Sequence, residues 1–448
     1  MSPLSRRHLL GLGLSAGAAA LLAGCATPGT TSVNSLPTIP PATGGGPVKL
    51  QYWAWLKGLD QVCKLYNQTH SDIQVEAVFI PGGNAGGYQK LYSALAAGAG
   101  PDIAQVEMRS LPEFLLANGL VDLKRYGAAQ YADLYDPTLW NQVSYTDGIY
   151  AIPQDSGPVG MYYRPDLLET VGAQAPASWD DWSATGLELK KNGVLMDVFP
   201  LSDASVFTAY ATQAGAAWLR PEDDGWVIDM TDEATMTVAR FFDKAIDDGI
   251  VSTSYTAYSP AWFAAAGNDK LAGCITGSWG DALIEGVSNA SGKWKVAAMP
   301  TWTDLGYKSS FLGGSTAAIL ANSKHPQEAL DFTVWMTTTK EGIDAMIKYC
   351  GIGWSPARGE IGTTRQQPSE FFSGQNYNEE VFVPATEESS QNQDWSWWPI
   401  TQQSFNILSD GFRGKASGGT LVDAVAQAEK QIISVFQNKG LSIRKASA

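Results

Sequence analysis

Tyr88-Gln-Lys-Leu91-Tyr92-Ser-Ala-Leu95-Ala-Ala-Gly98-Ala-Gly100-Pro101-Asp-Ile103-Ala-Gln-Val106-Glu107 is the stretch whose reading decides the fold. Tyr88, Leu91, Tyr92 and Leu95 recur at helical spacing, which predicts a helix with that stripe buried. Gly98, Gly100 and Pro101 end it, because glycine tolerates positive φ and proline cannot continue a helix. The apolar run 103–106 then reads as a buried parallel strand with Glu107 at its end. Open α/β sheets bind ligands beyond the carboxyl ends of their strands, so Glu107 is a cleft candidate.

Working outward, Val48-Lys-Leu-Gln-Tyr-Trp53-Ala-Trp55 reads as a first strand, Leu59, Val62, Cys63 and Tyr66 as a helix face, and Ile73, Val75, Ala77 and Phe79 as a second strand. Strand alternating with helix is the rhythm of a parallel sheet. Trp53 and Trp55, two residues apart, share one strand face. The glycine-rich loop 82–87 lacks the Lys-Ser/Thr ending of a phosphate loop, and Asn84 within it is a candidate partner for hydroxyl groups.

Ser110-Leu-Pro-Glu113 reads as a capping box. Asp147-Gly148 between short apolar runs predicts a hairpin, and Ser178 caps a helix. Residues 231–249 read as a helix with Val238, Phe241, Phe242 and Ala245 inward. Residues 360–388 are polar and poorly periodic, giving a loop with short helices. Gln393-Asp394-Trp395-Ser-Trp397-Trp398-Pro399 follows as the densest aromatic cluster, and 421–435 is a final amphipathic helix. Tryptophans in so polar a setting lack evident core partners, which favours a ligand platform.

The chain has 448 residues, enough for two or three cores. A net charge of −15 disfavours nucleic acid and polyanionic surfaces as partners. Arg6-Arg7 before the apolar run 9–22 has the form of an export signal, too short to span a bilayer. Residues 27–47 are rich in Thr, Ser, Pro and Gly and predict a flexible tether. Cys63, Cys274 and Cys350 allow at most one bridge, so no disulfide framework is expected. No cofactor or metal site is expected either: His70 and His325 stand apart and no HExxH occurs.

Several segments carry a resemblance. Residues 96–106 with Asn118-Gly-Leu-Val-Asp-Leu123, the run from Asp147 to Arg164, Gly277-Ser278-Trp279-Gly280-Asp281, the strands at 294–300 and 311–320, and Gly351-Ile-Gly-Trp354-Ser-Pro356-Ala-Arg358 resemble the extracellular solute-binding proteins of ABC importers, of the maltose-binding-protein type that capture sugars. Leu22-Ala23-Gly24-Cys25 resembles a bacterial lipobox. The resemblance implies an α/β fold of two lobes, each a mostly parallel sheet flanked by helices. It divides the chain into a signal peptide at 1–24, a tether at 25–47 with lipidated Cys25, a first lobe at 48–153 plus 305–352, and a second at 158–300 plus 356–448. The chain would pass between lobes at 153–158, 300–305 and 350–356. Ligand-binding candidates are then Trp53, Trp55, Asn84, Glu107, Asp155, Trp279, Asp281, Gly313, Gly314, Trp354, Arg358, Trp395, Trp397 and Trp398. Expected partners are a small carbohydrate and membrane permease subunits, with the protein a monomer on the outer face of the cell membrane and no enzyme.

Two other readings fit parts of the sequence. An exported glycoside hydrolase needs two carboxyls about 5–5.5 or 6.5–9.5 Å apart, for which Glu107 and Asp155 are available; no G-x-S-x-G occurs, since Thr276 stands where glycine would be needed. A binder of cations such as polyamines would use acids and an aromatic box.

Overall fold

The computed structural model describes residues 33–83, 86–145, 147–222, 225–389 and 395–446. Met1–Pro37 is one unit, with a single described turn at Val33–Ser35, and Thr38–Ala448 is another, compact unit that holds everything below. The expected signal at 1–24 and Cys25 lie outside the described residues. Among the described residues no helix is long and apolar enough to cross a membrane.

The first lobe is built on a five-stranded sheet. Its order is Ile73–Phe79, Val48–Ala54, Ile103–Glu107, Ser315–Ile319 and Ile152–Pro153. The first three strands are parallel, with Tyr52 opposite Ile103; Ser315–Ile319 runs against both of its neighbours and sets Ser315 opposite Glu107. The helix Gly87–Ala96 buries Tyr88 and Leu91, and Gly98 beyond it takes φ +62°. Glu107 therefore ends its strand at the carboxyl edge, as the pattern predicts.

The second lobe carries Val159–Tyr163 between Gly273–Gly277 and Lys295–Ala298, antiparallel to both. A short parallel pair, Asp197–Val198 with Val251–Ser252, lies beside them. The two-lobed α/β architecture is as expected, while strand pairing is more mixed than the strand–helix rhythm implies. Segments returning through a crossing enter the sheet from the opposite direction and pair antiparallel.

Apolar cores follow the lobes. One pair of clusters draws on residues 50–152 and 317–352, the other on 159–312 and 354–436. Between them the chain passes three times, at 153–158, 310–315 and 352–356. These passages are hydrogen-bonded side by side: Ser156 N–H to Trp354 O at 3.0 Å, Leu312 N–H to Gly157 O at 2.8 Å and Gln154 N–H to Ser315 O at 2.9 Å. The expected second crossing at 300–305 is thus displaced. Thr301 and Tyr307 bond instead to Ala177 and Gln213 in the second lobe, and Gly313 and Gly314, at φ +87° and +118°, make the turn.

Two further expectations change. The segment after Pro37 is fastened rather than free, because Ile39 N–H donates to Tyr126 Oη at 3.1 Å and Ala42 N–H to the buried Glu328 at 2.7 Å. Ser110 makes no side-chain cap, so Pro112 and the preceding 3-10 turn start that helix. Ser178 does cap, accepting from Asp181 N–H, and Ser144–Tyr145 pairs with Gly148–Ile149 as the hairpin reading requires. Cys63, Cys274 and Cys350 are free thiols.

Asp197 joins the parallel pair to its neighbour, accepting N–H bonds from Val198 at 2.6 Å and Ile275 at 2.8 Å. Burial pushes its carboxyl from 3.8 up to about 7. Between those values the folded protein keeps a proton that the unfolded chain has released, so this contribution to stability is full below about pH 4 and is lost as pH rises to 7. Denaturant unfolding at pH 5, 6 and 7 should show Asp197→Asn removing a downward slope of up to about 1.4 kcal/mol per pH unit, so that the cost of the N–H that loses its acceptor shrinks as pH rises towards 7.

Candidate functional site

A cavity of about 280 Å³ lies where the crossings meet the two lobes. Its lining comes from strand ends and turns and from the faces of helices. Glu107 and Arg109 come from the end of strand Ile103–Glu107, Gln142 from helix Pro137–Gln142, and Thr208 and Thr212 from helix Ala204–Gln213. Trp279 follows strand Gly273–Gly277, Gly313 and Gly314 precede strand Ser315–Ile319, and Phe405 stands on helix Thr401–Arg413 beyond Trp395 and Trp397.

Trp279 is set by contacts on several sides. Its Nε1–H donates to Leu312 O at 2.8 Å, tying the turn to a crossing. The ring meets that of Tyr258 edge-on, centroids 5.8 Å apart at 60°. Glycines make the room: a Cβ at Gly277 would stand 2.4 Å from Trp279 Nε1, and one at Gly353 2.5 Å from its backbone N.

Across the cavity, Glu107 is held from behind. Tyr88 Oη donates to Glu107 Oε2 and accepts from Glu107 N–H, both at 3.0 Å. Burial, and then the charge of Glu107, raise the Tyr88 hydroxyl well above its ordinary value, so it remains a donor. Arg109 Nη2 pairs with Glu107 Oε1 at 2.8 Å, and its guanidinium lies 5.7 Å from the Phe405 ring centroid. Trp397 Nε1–H donates to Gln142 Oε1 at 2.9 Å, and Trp395 and Trp397 meet at 85°. Aromatic surface, hydroxyls, a carboxamide, an ion pair and the Asp203 carboxylate therefore share one hollow.

Of the residues picked out from the sequence, Glu107, Trp279, Gly313, Gly314, Trp395 and Trp397 line this cavity. The others do not. Trp53 lies under Lys90 Nζ at 4.4 Å, and Trp55 packs edge-on to Tyr88. Asp155 accepts the Ser315 N–H at 2.7 Å within the crossing, where burial pushes its carboxyl up to about 6. Asp281 is buried in a pair with Arg365 and takes the Tyr377 hydroxyl at 2.8 Å. Trp354 packs on Phe382 in a core, Trp398 is fully buried with its Nε1–H on Ser404, and Arg358 is exposed. Asn84 lies outside the described residues. These corrections share one cause: tryptophan and aspartate near a glycine turn look alike in sequence whether their partners come from ligand or from a distant segment.

Arg109, Gln142, Asp203, Thr208, Thr212 and Phe405 are among the lining residues that the sequence reading passed over. Arg109 carried a usable signal, two places beyond Glu107. Thr208 and Thr212 did not, because their helix is buried almost all round. Among the described residues no group of three or more metal-ligating side chains is assembled.

Residues 53–343 match the family model of the bacterial extracellular solute-binding proteins. The chain belongs to that family. This solute-binding protein is 27% identical over 347 residues to a lactose-binding protein of Rhizobium radiobacter, covering 72% of this chain and 78% of the relative. It is 22% identical over 336 residues to an arabinooligosaccharide-binding protein of Bacillus subtilis (strain 168), covering 72% and 76%. Among solved structures it superposes at TM-score 0.80 and 25% identity on the galacto-N-biose-/lacto-N-biose I-binding protein of the ABC transporter from Bifidobacterium longum, in complex with lacto-N-biose, over 90% of this chain and 100% of that one. The sugar-binding protein MalE from Xanthomonas citri shares the fold at TM-score 0.73 and 20% identity, over 88% and 98%. These relatives are binding proteins.

Gly353 supplies a direct test of how Trp279 is seated. In Gly353→Ala the new methyl meets the Trp279 backbone, which has no freedom to swing aside. Denaturant unfolding should show a loss of about 1–3 kcal/mol.

Proposed function

We propose that this protein captures a neutral carbohydrate in the cavity between its lobes and presents it to the permease of an ABC importer. The observation that carries this reading is the meeting of Trp279 from one turn with Trp395, Trp397 and Phe405 from another part of the chain around a single hollow. The C–H face of a sugar ring is apolar and weakly positive, and an aromatic face is negative, so ring stacking suits it. Hydroxyls of Thr208, Thr212 and Ser310, with Gln142 and the Glu107 carboxylate, offer the hydrogen bonds that polyols need. Arg109 offsets Glu107, which with Asp203 is one of two carboxylates lining the cavity, and so weakens the pull that a polyamine would need. The relatives named for binding lactose, arabinooligosaccharides and lacto-N-biose support the sugar class.

Closure on the ligand is a hinge motion about residues 153–158, 310–315 and 352–356, and ligand favours it only through contacts made better in the closed state. The protein is exported through its twin-arginine signal, cleaved before Cys25 and held at the outer membrane face by lipid on that residue. It works as a monomer.

Calorimetry against mono- and oligosaccharides should find a ligand whose affinity changes little between low and high salt, as a neutral partner requires. Trp279→Ala should weaken that binding by about thirtyfold, or 2 kcal/mol, without unfolding the protein; unchanged affinity would remove Trp279 from the site. In cell fractionation, Cys25→Ser should move the protein from the membrane pellet to the soluble fraction.

A further inference from the structure

Helix Thr401–Arg413 carries Phe405 to the cavity, yet its own sequence leaves its first turn without a cap. Ile400, at the cap position, has no polar side chain, and no side-chain hydrogen bond from that position closes the end. The neighbouring polar groups are turned elsewhere: Thr401 Oγ1 donates to Trp398 O at 2.7 Å, and Gln402 Nε2 to Asn406 Oδ1 at 3.1 Å. The first backbone N–H groups of a helix have no partner inside it, so they need one from outside.

The Gln402 N–H finds its partner in the Glu113 carboxylate. Glu113 stands on helix Leu111–Leu116, whose Leu111 and Phe114 belong to a core of the first lobe, whereas Phe405, Leu408 and Phe412 belong to a core of the second. Both partners border a hollow of about 430 Å³ that shares no lining residue with the cavity at Trp279. Burial pushes the Glu113 carboxyl above its ordinary value, and the Gln402 N–H and the charges of Lys439 and Arg109 partly offset that. The helix dipole favours a negative group at this end. One turn further along the same helix, the Phe405 ring centroid lies 5.7 Å from the Arg109 guanidinium of the first lobe.

We propose that Glu113 is a positioning residue for ligand binding: it caps helix Thr401–Arg413 from the opposite lobe, so the cap forms only when the lobes are together and steadies Phe405 at the cavity wall. Glu113 is not among the residues lining that cavity, so its effect reaches the ligand through the helix. Separation of the lobes leaves the Gln402 N–H to water and loosens the first turn, which couples closure to the order of the aromatic wall. This rests on the binding reading above but not on which sugar is bound.

The test is hydrogen exchange of the whole protein, resolved to single amides, with calorimetry against lactose, maltose and arabinotriose. Glu113→Ala should speed exchange of the Gln402 amide at least about fivefold, and leave unchanged the Leu408 amide deep in the same helix, which also reports an intact fold. A bound sugar should slow Gln402 exchange in the natural protein and not in that variant. Glu113→Ala should weaken sugar binding about fivefold, and Glu113→Gln, which keeps an acceptor oxygen, should recover most of the loss. Equal Gln402 exchange in the natural protein and in Glu113→Ala, or unchanged affinity in that variant, overturns this proposal while leaving the sugar-binding reading in place. Failure of all three sugars to bind counts against the sugar reading alone, because the exchange comparison without ligand still decides the cap.

Discussion

Three backbone segments pass between two separate apolar cores, and everything at the site depends on their being bonded to one another. Polar backbone leaving a core must find partners or face a penalty for burial. Here the passages at 153–158, 310–315 and 352–356 satisfy each other, and Asp155 and the Trp279 indole take up groups that the pairing leaves over. Because the same bonds lie next to the cavity, the joint between the lobes and the wall of the site are one piece of structure.

That arrangement explains why glycine is concentrated there. Gly157, Gly277 and Gly353 lie against Trp279 or Leu312 at distances that leave no room for a side chain, while Gly313 and Gly314 turn the chain at positive φ. The indole is consequently located by backbone on several sides. Glu107 is located in another way, by a tyrosine behind it and an arginine beside it. A rigid aromatic surface thus shares the cavity with a carboxylate whose direction is already set, an arrangement that would reduce the ordering any ligand there requires.

Much of this was legible in the residues. The strand end at Val106 pointed to Glu107 because local chemistry dictates where such an element stops, and the resemblance pointed to Trp279 and the Gly313-Gly314 pair. Cluster composition pointed to Trp395 and Trp397. What stayed hidden depends on long-range packing. Trp354 and Trp398 are the same residue type in similar company, yet Phe382 and Ser404 draw them into cores. Helix Thr401–Arg413, which carries Phe405, has no side-chain cap to announce it, and the second crossing lies ten residues beyond the 300–305 that the resemblance implies. Thr208 and Thr212 lie on a helix with no polar face to reveal which side meets the cavity.

The fastening of Ile39 and Ala42 bears on mechanics. Both bonds go to residues of the first lobe, Tyr126 beside its core and Glu328 on a helix that helps build it. Any tension arriving along the N-terminal segment is therefore borne by one body alone. Neither the joint nor the opposite lobe lies in that load path.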